Sequence, residues 1–199
     1  MVTMRRAEAH DAAAVAELLT EAFLDKFRRI FGKRIAQGRK ALAEAFILHW
    51  DVFNGAYVAE VEGEVVGFIT LLTKESPSTP IWPTSQAFLR HLGFLGVGRA
   101  LIGLPFLMKR IGREDCYIEA IGVGERWRGE GVGTALLKQA EDHANERGKT
   151  YLTLEASRTS RTAIRLYRRL GFVMVRQLPS PLIGRLFGTS GWLFMRKNL

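Results

Sequence analysis

Two alternating or apolar runs, Gly55 to Glu62 and Glu64 to Thr73, meet at Glu62-Gly63-Glu64. Such runs predict paired strands, and the glycine at the junction predicts a tight turn. Elsewhere the apolar spacing changes to three and four. Asp11 stands where a helix N-cap would, ahead of an Ala/Leu-rich run to about Phe23, and a second helical run covers roughly Arg39 to Trp50. Val2 to Ala7 reads as a short first strand. After a Pro/Ser/Thr connector at 76–82, about Ser85 to Arg110 reads as helical, interrupted by glycine, apolar and basic, without an acidic residue. A strand ending at Val123 follows, then a glycine-rich loop and an amphipathic helix. Next come a strand at Thr150–Ala156 and a helix at Ser160–Leu170, stopped by Gly171. Two apolar runs, Phe172–Gln177 and Gly191–Lys197, close the chain around a loop at 178–190. The element order β-α-α-β-β-(insert)-β-α-β-α-β-β puts hairpins on both sides of a βαβ core, so the predicted fold is α/β with a mixed sheet.

The stretch from Tyr117 to Leu137 carries the chemistry. Its loop, Arg128-Gly129-Glu130-Gly131-Val132-Gly133-Thr134, has glycines where a backbone must come close to a ligand, and the following helix points unpaired N–H groups back into it. Such a loop suits a phosphate or pyrophosphate, with Arg128 adding a cation and Glu130 turned to solvent. No Lys-Ser or Lys-Thr follows the glycines, which excludes a Walker A loop. The glycines also begin too far beyond the strand, with the wrong third spacing, for a dinucleotide fingerprint.

Composition narrows the setting. The chain has 199 residues, 47% of them hydrophobic and 25% charged, as expected for one globular unit with its own core. The start has no apolar leader pattern, and the most apolar stretch, Gly93 to Met108, is broken by Arg99 and Pro105, so a cytoplasmic protein is expected. Cys116 is the sole cysteine, at the edge of an apolar strand, where a structural thiol is expected. The histidines at 10, 49, 91 and 143 are scattered, without metal-ligand spacing. Residues 1–155 carry 20 basic and 20 acidic side chains, whereas residues 156–199 carry nine basic and no acidic ones, so the whole net charge of +9 lies in the last segment. Anionic partners follow from that asymmetry.

Arg128-Gly-Glu-Gly131-Val-Gly133 after Ile121-Gly122-Val123 is half of a longer pattern. The other half is Leu152-Thr-Leu-Glu155-Ala156, followed by Ala163-Ile-Arg-Leu166-Tyr167-Arg-Arg-Leu-Gly171-Phe172. Together they resemble the GCN5-related N-acetyltransferase (GNAT) superfamily over most of residues 2–75 and 114–199. About 76–113 is an insertion within one such domain spanning 1–199. The resemblance implies acetyl-CoA as cosubstrate, its pyrophosphate on residues 128–134 and its pantetheine arm along the backbone of Ile121, Gly122 and Val123. Ser160 and Ala163, at the start of the next helix, would complete the cofactor contacts. The family often has Pro at the place of Glu125 and Asn at the place of Ser160. Ser160 can still hydrogen-bond the arm or cap the helix.

Acetyl transfer to a primary amine needs a base for the ammonium and an acid for the departing thiolate. Tyr167 shares one helix face with Ala163, Leu166 and Leu170 and points at the sheet, as acid and cofactor contact alike. Glu119 and Glu155 compete for the base. Glu155 precedes Tyr167 by 12 residues, the offset found in the ribosomal-protein alanine acetyltransferase branch. The alternative to an enzyme is a catalytically silent acyl-CoA-binding module. For the basic apolar insert and the acid-free C-terminal part, a substrate lid with a dimer surface stands against contact with an anionic membrane at 182–197. No nucleic-acid recognition motif is found.

Overall fold

The computed structural model describes residues 1–48, 55–77, 86–93, 111–179 and 191–199. Seven strands, β1 (Thr3–Arg6), β2 (Ala56–Val61), β3 (Glu64–Leu72), β4 (Asp115–Val123), β5 (Tyr151–Ser157), β6 (Val173–Pro179) and β7 (Gly191–Asn198), form one sheet in the order β1-β2-β3-β4-β5-β7-β6. Neighbours are antiparallel except β4 and β5, which run parallel. The β2–β3 turn is tight because Glu62 and Gly63 both take positive φ, 51° and 82°, the twist a two-residue hairpin needs.

The helices are α1 (Ala12–Ala22), α2 (Leu24–Phe31), α3 (Ile35–Leu48), α4 (86–93), α5 (Val132–Glu146) and α6 (Arg161–Arg169). They cover opposite faces of the sheet. On one face, Leu136, Leu137 and Ala140 of α5, with Ile164 and Tyr167 of α6, pack against Ile69, Cys116, Ile118, Leu152 and Leu154. On the other, Val15 and Leu18 of α1 pack on Val58 and Phe68, and α3 lies against α1.

The N-terminal half differs from its sequence reading. Three helices stand where two were expected. The basic run around Arg28 obscures the apolar period of α2, and tertiary contact supplies what the pattern lacks. Phe27 stacks on Phe31 at 5.3 Å, and the Phe31 ring fills the space beside Gly38, where a Cβ would lie 2.2 Å from it. Asp11 makes no side-chain cap on α1. Its buried carboxylate instead takes both arms of Arg5, at 2.7 and 2.8 Å, and the Glu8 N–H at 2.7 Å, closing a 3-10 turn at Ala9–Asp11.

Most of the insertion expected at 76–113 lies outside the described residues. Its helix α4 is held to α3 through Glu44, which accepts from Arg90 and pairs with His91 Nε2 at 2.8 Å. The expected helix end at 49–50 and most of the loop at 178–190 also fall outside. Among the described residues no helix is long and apolar enough to cross a membrane.

Candidate functional site

The sheet opens at its parallel pair. The β4–β5 ladder joins Asp115–Ile118 to Tyr151–Leu154 and is not continued beyond. Two antiparallel ladders decide what faces the opening. Gly124 N–H donates to Val66 O at 2.9 Å, so the alternation of an antiparallel ladder turns Gly122 and Gly124 toward β3 and the backbone groups of Ile121 and Val123 away from it. On the other side, Arg158 N–H donates to Gly191 O at 3.1 Å, which turns the backbone of Glu155 and Ser157 away from β7. The slot is therefore lined by polar main chain on both walls.

The opening begins at a β-bulge. Thr70 pairs with Ala120 and Leu71 with Ile118, which leaves Glu119 as the extra residue on β4. The Thr70 hydroxyl accepts the Ala120 N–H at 3.1 Å, replacing the lost ladder bond. Past the bulge, Gly122 makes room for α1: a Cβ there would lie 2.5 Å from the Phe68 ring and 3.2 Å from Ala22 Cβ.

At the mouth of the slot lies the glycine loop. Gly129 and Gly131 have φ of 93° and 83°, with open space where a side chain would stand. Gly131 is the N-cap residue of α5 and makes no side-chain cap. Its carbonyl takes Thr134 and Ala135 N–H, and the first N–H groups of the helix have no acceptor within the helix itself. Gly133 does different work: a Cβ would meet Leu166 at 3.1 Å, so its smallness lets α6 approach α5. Arg128 Nε donates to Val123 O at 3.2 Å, and its Nη2 lies 4.0 Å from Glu21 on α1. Glu21 also accepts the Glu125 N–H at 2.9 Å, tying the loop to that helix. Within the loop Glu130 is exposed, and Thr134 at its end is half-buried. Ser160 precedes α6 without using its hydroxyl as a cap, which sets aside the capping alternative.

Strand alternation sorts the titratable groups. Cys116 and Ile118 of β4, and Leu152, Leu154 and Ala156 of β5, point into the α5 core, so Tyr117, Thr153 and Glu155 share the opposite face. Tyr117 is 7% exposed, and burial, with the charges of Glu155 and Glu119, raises its phenol far above the ordinary range. Glu119 is exposed to solvent on one side, while the protein crowded around it desolvates the carboxylate. Desolvation raises its carboxyl above 4.5, against the hydrogen bond from Thr70. Tyr167 is 7% exposed, 5.8 Å from Phe172 between ring centres, and burial pushes its phenol to about 12. Ala163 stands partly buried beside it in the same core. Cys116 is fully buried, its thiol pushed up to about 12 by burial against the charges of Arg147 and Lys149.

Tyr117, Thr70 and Glu21 escape a reading of the sequence. Each is brought to the site by strand register or by helix packing, and neither leaves a local pattern. Among the described residues no three His, Cys, Asp or Glu side chains converge as a metal site requires.

A mixed sheet split at its parallel pair, with a glycine loop and a helix N-terminus at the mouth of the split, defines a fold of acyl-CoA-dependent acyltransferases. The chain belongs to the acetyltransferase (GNAT) family, whose sequence profile matches residues 14–172. It is 46% identical over 78 residues to a streptothricin acetyltransferase of Streptomyces lavendulae, covering 39% of this chain and 41% of that protein. With an N-alpha-acetyltransferase of Sulfurisphaera tokodaii it shares 31% identity over 137 residues, 67% of this chain and 65% of the other. The chain thus spans less than two thirds of either relative's length. Among solved structures, an acetyltransferase superposes with a TM-score of 0.69 at 24% identity over 98% of both chains. The yncA acetyltransferase of Salmonella typhimurium, solved with its cofactor acetyl-CoA, superposes at 0.60 and 19% identity, over 100% of this chain and 94% of that one.

The residues fit a CoA ester. A pyrophosphate needs convergent N–H donors and no side chain in the way, which the open Gly129 and Gly131 and the start of α5 supply. An amide-bearing arm needs main-chain partners, which the walls of the slot offer.

Proposed function

We propose that this protein is an N-acetyltransferase that moves the acetyl group of acetyl-CoA to a primary amine of a small molecule or peptide by direct attack. One observation carries this reading: the parallel ladder stops where Glu119 bulges out, so a desolvated carboxylate stands at the head of a slot whose mouth is an anion-binding loop.

When bound, acetyl-CoA supplies an acyl thioester as electrophile and a thiolate as leaving group. The loop at 128–134 holds the phosphates, with Arg128 released from Val123 O to meet them. The backbone of Ile121 and Val123 orients the arm, with Ser160 at the facing helix start. Glu119 takes the proton from the acceptor ammonium, since desolvation raises its pKa and with it its proton affinity. Tyr167 gives its hydroxyl proton to the departing sulfur, and a buried phenol near 12 remains protonated for that task. Glu155, on the far wall, supports the acceptor side through its charge beside Tyr117.

The acceptor is an amine of the kinds that the relatives' names indicate, that of streptothricin or an alpha-amine. Free thiol released from acetyl-CoA, measured over a panel containing streptothricin, polyamines and peptides with free N-termini, tests the reading. Turnover with one amine class is expected. A thermal shift with CoA but no thiol release with any acceptor assigns the chain to the silent binding modules instead. Wild-type turnover in both Tyr167→Phe and Glu155→Gln, together with Glu119→Gln, removes the assigned roles.

A further inference from the structure

We propose that the outer edge of the sheet is a docking surface for an anionic lipid bilayer. Strand β6 is the last in the sheet order, and its first three residues are aliphatic or thioether side chains standing in water: Val173 is 62% exposed, Met174 44% and Val175 47%. Val173 lies opposite Arg196 and Met174 opposite Met195, so these two side chains leave opposite faces of the edge and flank it. The β6–β7 register shifts between Met174 and Arg176, and the extra residue, Val175, breaks the alternation. The same bulge disfavours the edge for adding another strand.

Arginines frame the triplet. Arg168 and Arg169 close α6 and are joined to the strand by the short turn at Gly171, and Arg176 follows directly with its guanidinium 5.2 Å over the Phe194 ring. All three are exposed, and among the described residues none makes an ion pair. No Asp or Glu occurs anywhere in residues 156–199, so nothing in this stretch of chain opposes an anionic partner.

Charge and apolarity together select the occupant. A second copy would bring the same three cations against themselves. A nucleic acid would use the arginines, but its phosphodiester surface gains nothing from Val173, Met174 and Val175. An anionic bilayer uses both: headgroup phosphates meet the guanidinium groups while the triplet enters the boundary with the acyl chains.

Flotation of the full chain with vesicles tests this, using equal parts phosphatidylglycerol and phosphatidylcholine against phosphatidylcholine alone at about 0.1 M salt. Co-flotation with the anionic vesicles only is expected. R168A/R169A should weaken partitioning roughly 30-fold, and V173S/V175S about tenfold. Both variants should keep wild-type thermal unfolding and turnover with a soluble amine. Equal flotation with both vesicle types, no flotation with either, or unaltered partitioning of the two variants overturns the proposal. So does a concentration-dependent dimer that V173S/V175S abolishes while vesicle binding persists, or capture of an acidic protein by the same face with no lipid binding.

Discussion

Glu119 and Glu155 stand on adjacent strands, but their surroundings give them different chemistry. The bulge sets Glu119 out from the ladder, and desolvation by the surrounding protein raises its carboxyl. The pH consequence follows from the sign of the shift. A base acts when deprotonated, so kcat/KM should rise with pH through the folded value of Glu119, placing the acidic limb above the ordinary 4.5. Glu119→Gln should lower kcat by about 100-fold or more and flatten that limb. A carboxyl with a raised folded pKa favours the fold below its unfolded value, and this contribution is lost as pH rises through the folded value. Glu119→Gln takes this titration away and should raise Tm at pH above the folded value as it removes activity. Tyr167→Phe should reduce kcat about tenfold or more with little change in KM, since the hydroxyl acts on the leaving group. Cys116, fully buried with its thiol pushed to about 12, should resist alkylation in the folded protein, and Cys116→Ala should leave turnover intact.

At the scale of elements, glycines position the site in two ways. Gly131→Ala puts a side chain at φ 83° and should cost about 1–2 kcal/mol, with weaker CoA binding seen by calorimetry. Gly122→Ala leaves the loop untouched but drives a Cβ into the Phe68 ring, and should cost about 1–3 kcal/mol by pushing α1 away from β4. A thermal melt and a CoA titration on each variant separate the two roles. Arg5 shows a third kind of tie, joining β1, β2 and the turn before α1 through Asp11 and Glu60. Arg5→Ala strands a buried carboxylate and should cost about 3 kcal/mol. Burial alone would raise the pKa of Asp11, but Arg5 and the Glu8 N–H hold it below 3.8. That stabilisation is present above 3.8 and is lost as pH falls through the lower, folded value, which an acid unfolding series on the wild type and Arg5→Ala would reveal.

These elements also show what the sequence makes legible. The loop at 128–134 and the Leu166-Tyr167 helix are local patterns, so spacing finds them, and the element order gives the mixed sheet. The bulge at Glu119 is invisible because it arises from the register between β3 and β4, which are separated by the whole insertion. Tyr117 reads as one more aromatic in a strand until alternation places it beside two carboxylates. The short α2 is missed because aromatic stacking and Gly38, rather than periodicity, hold it. Ser160 precedes α6 where the spacing puts it, and its hydroxyl makes no cap there.

Across the whole molecule, the sheet separates three tasks. Helix α1 covers one face with α3 packed on it, α5 and α6 cover the other, and the whole net positive charge belongs to residues 156–199. Chemistry occupies the gap between strands, which neither helical layer has to open. The same gap has a mechanical meaning. Strands β1 to β4 form one antiparallel leaf and β5, β7 and β6 another, joined within the sheet by four paired positions, with α5 packed across both. Such a seam allows the leaves to open as separate cooperative units. Amides of each leaf should then exchange with solvent at two distinct levels in the free protein. A CoA ester lying between Val123 and Ser157 would act as the absent rung, and with it bound the two levels should converge to one.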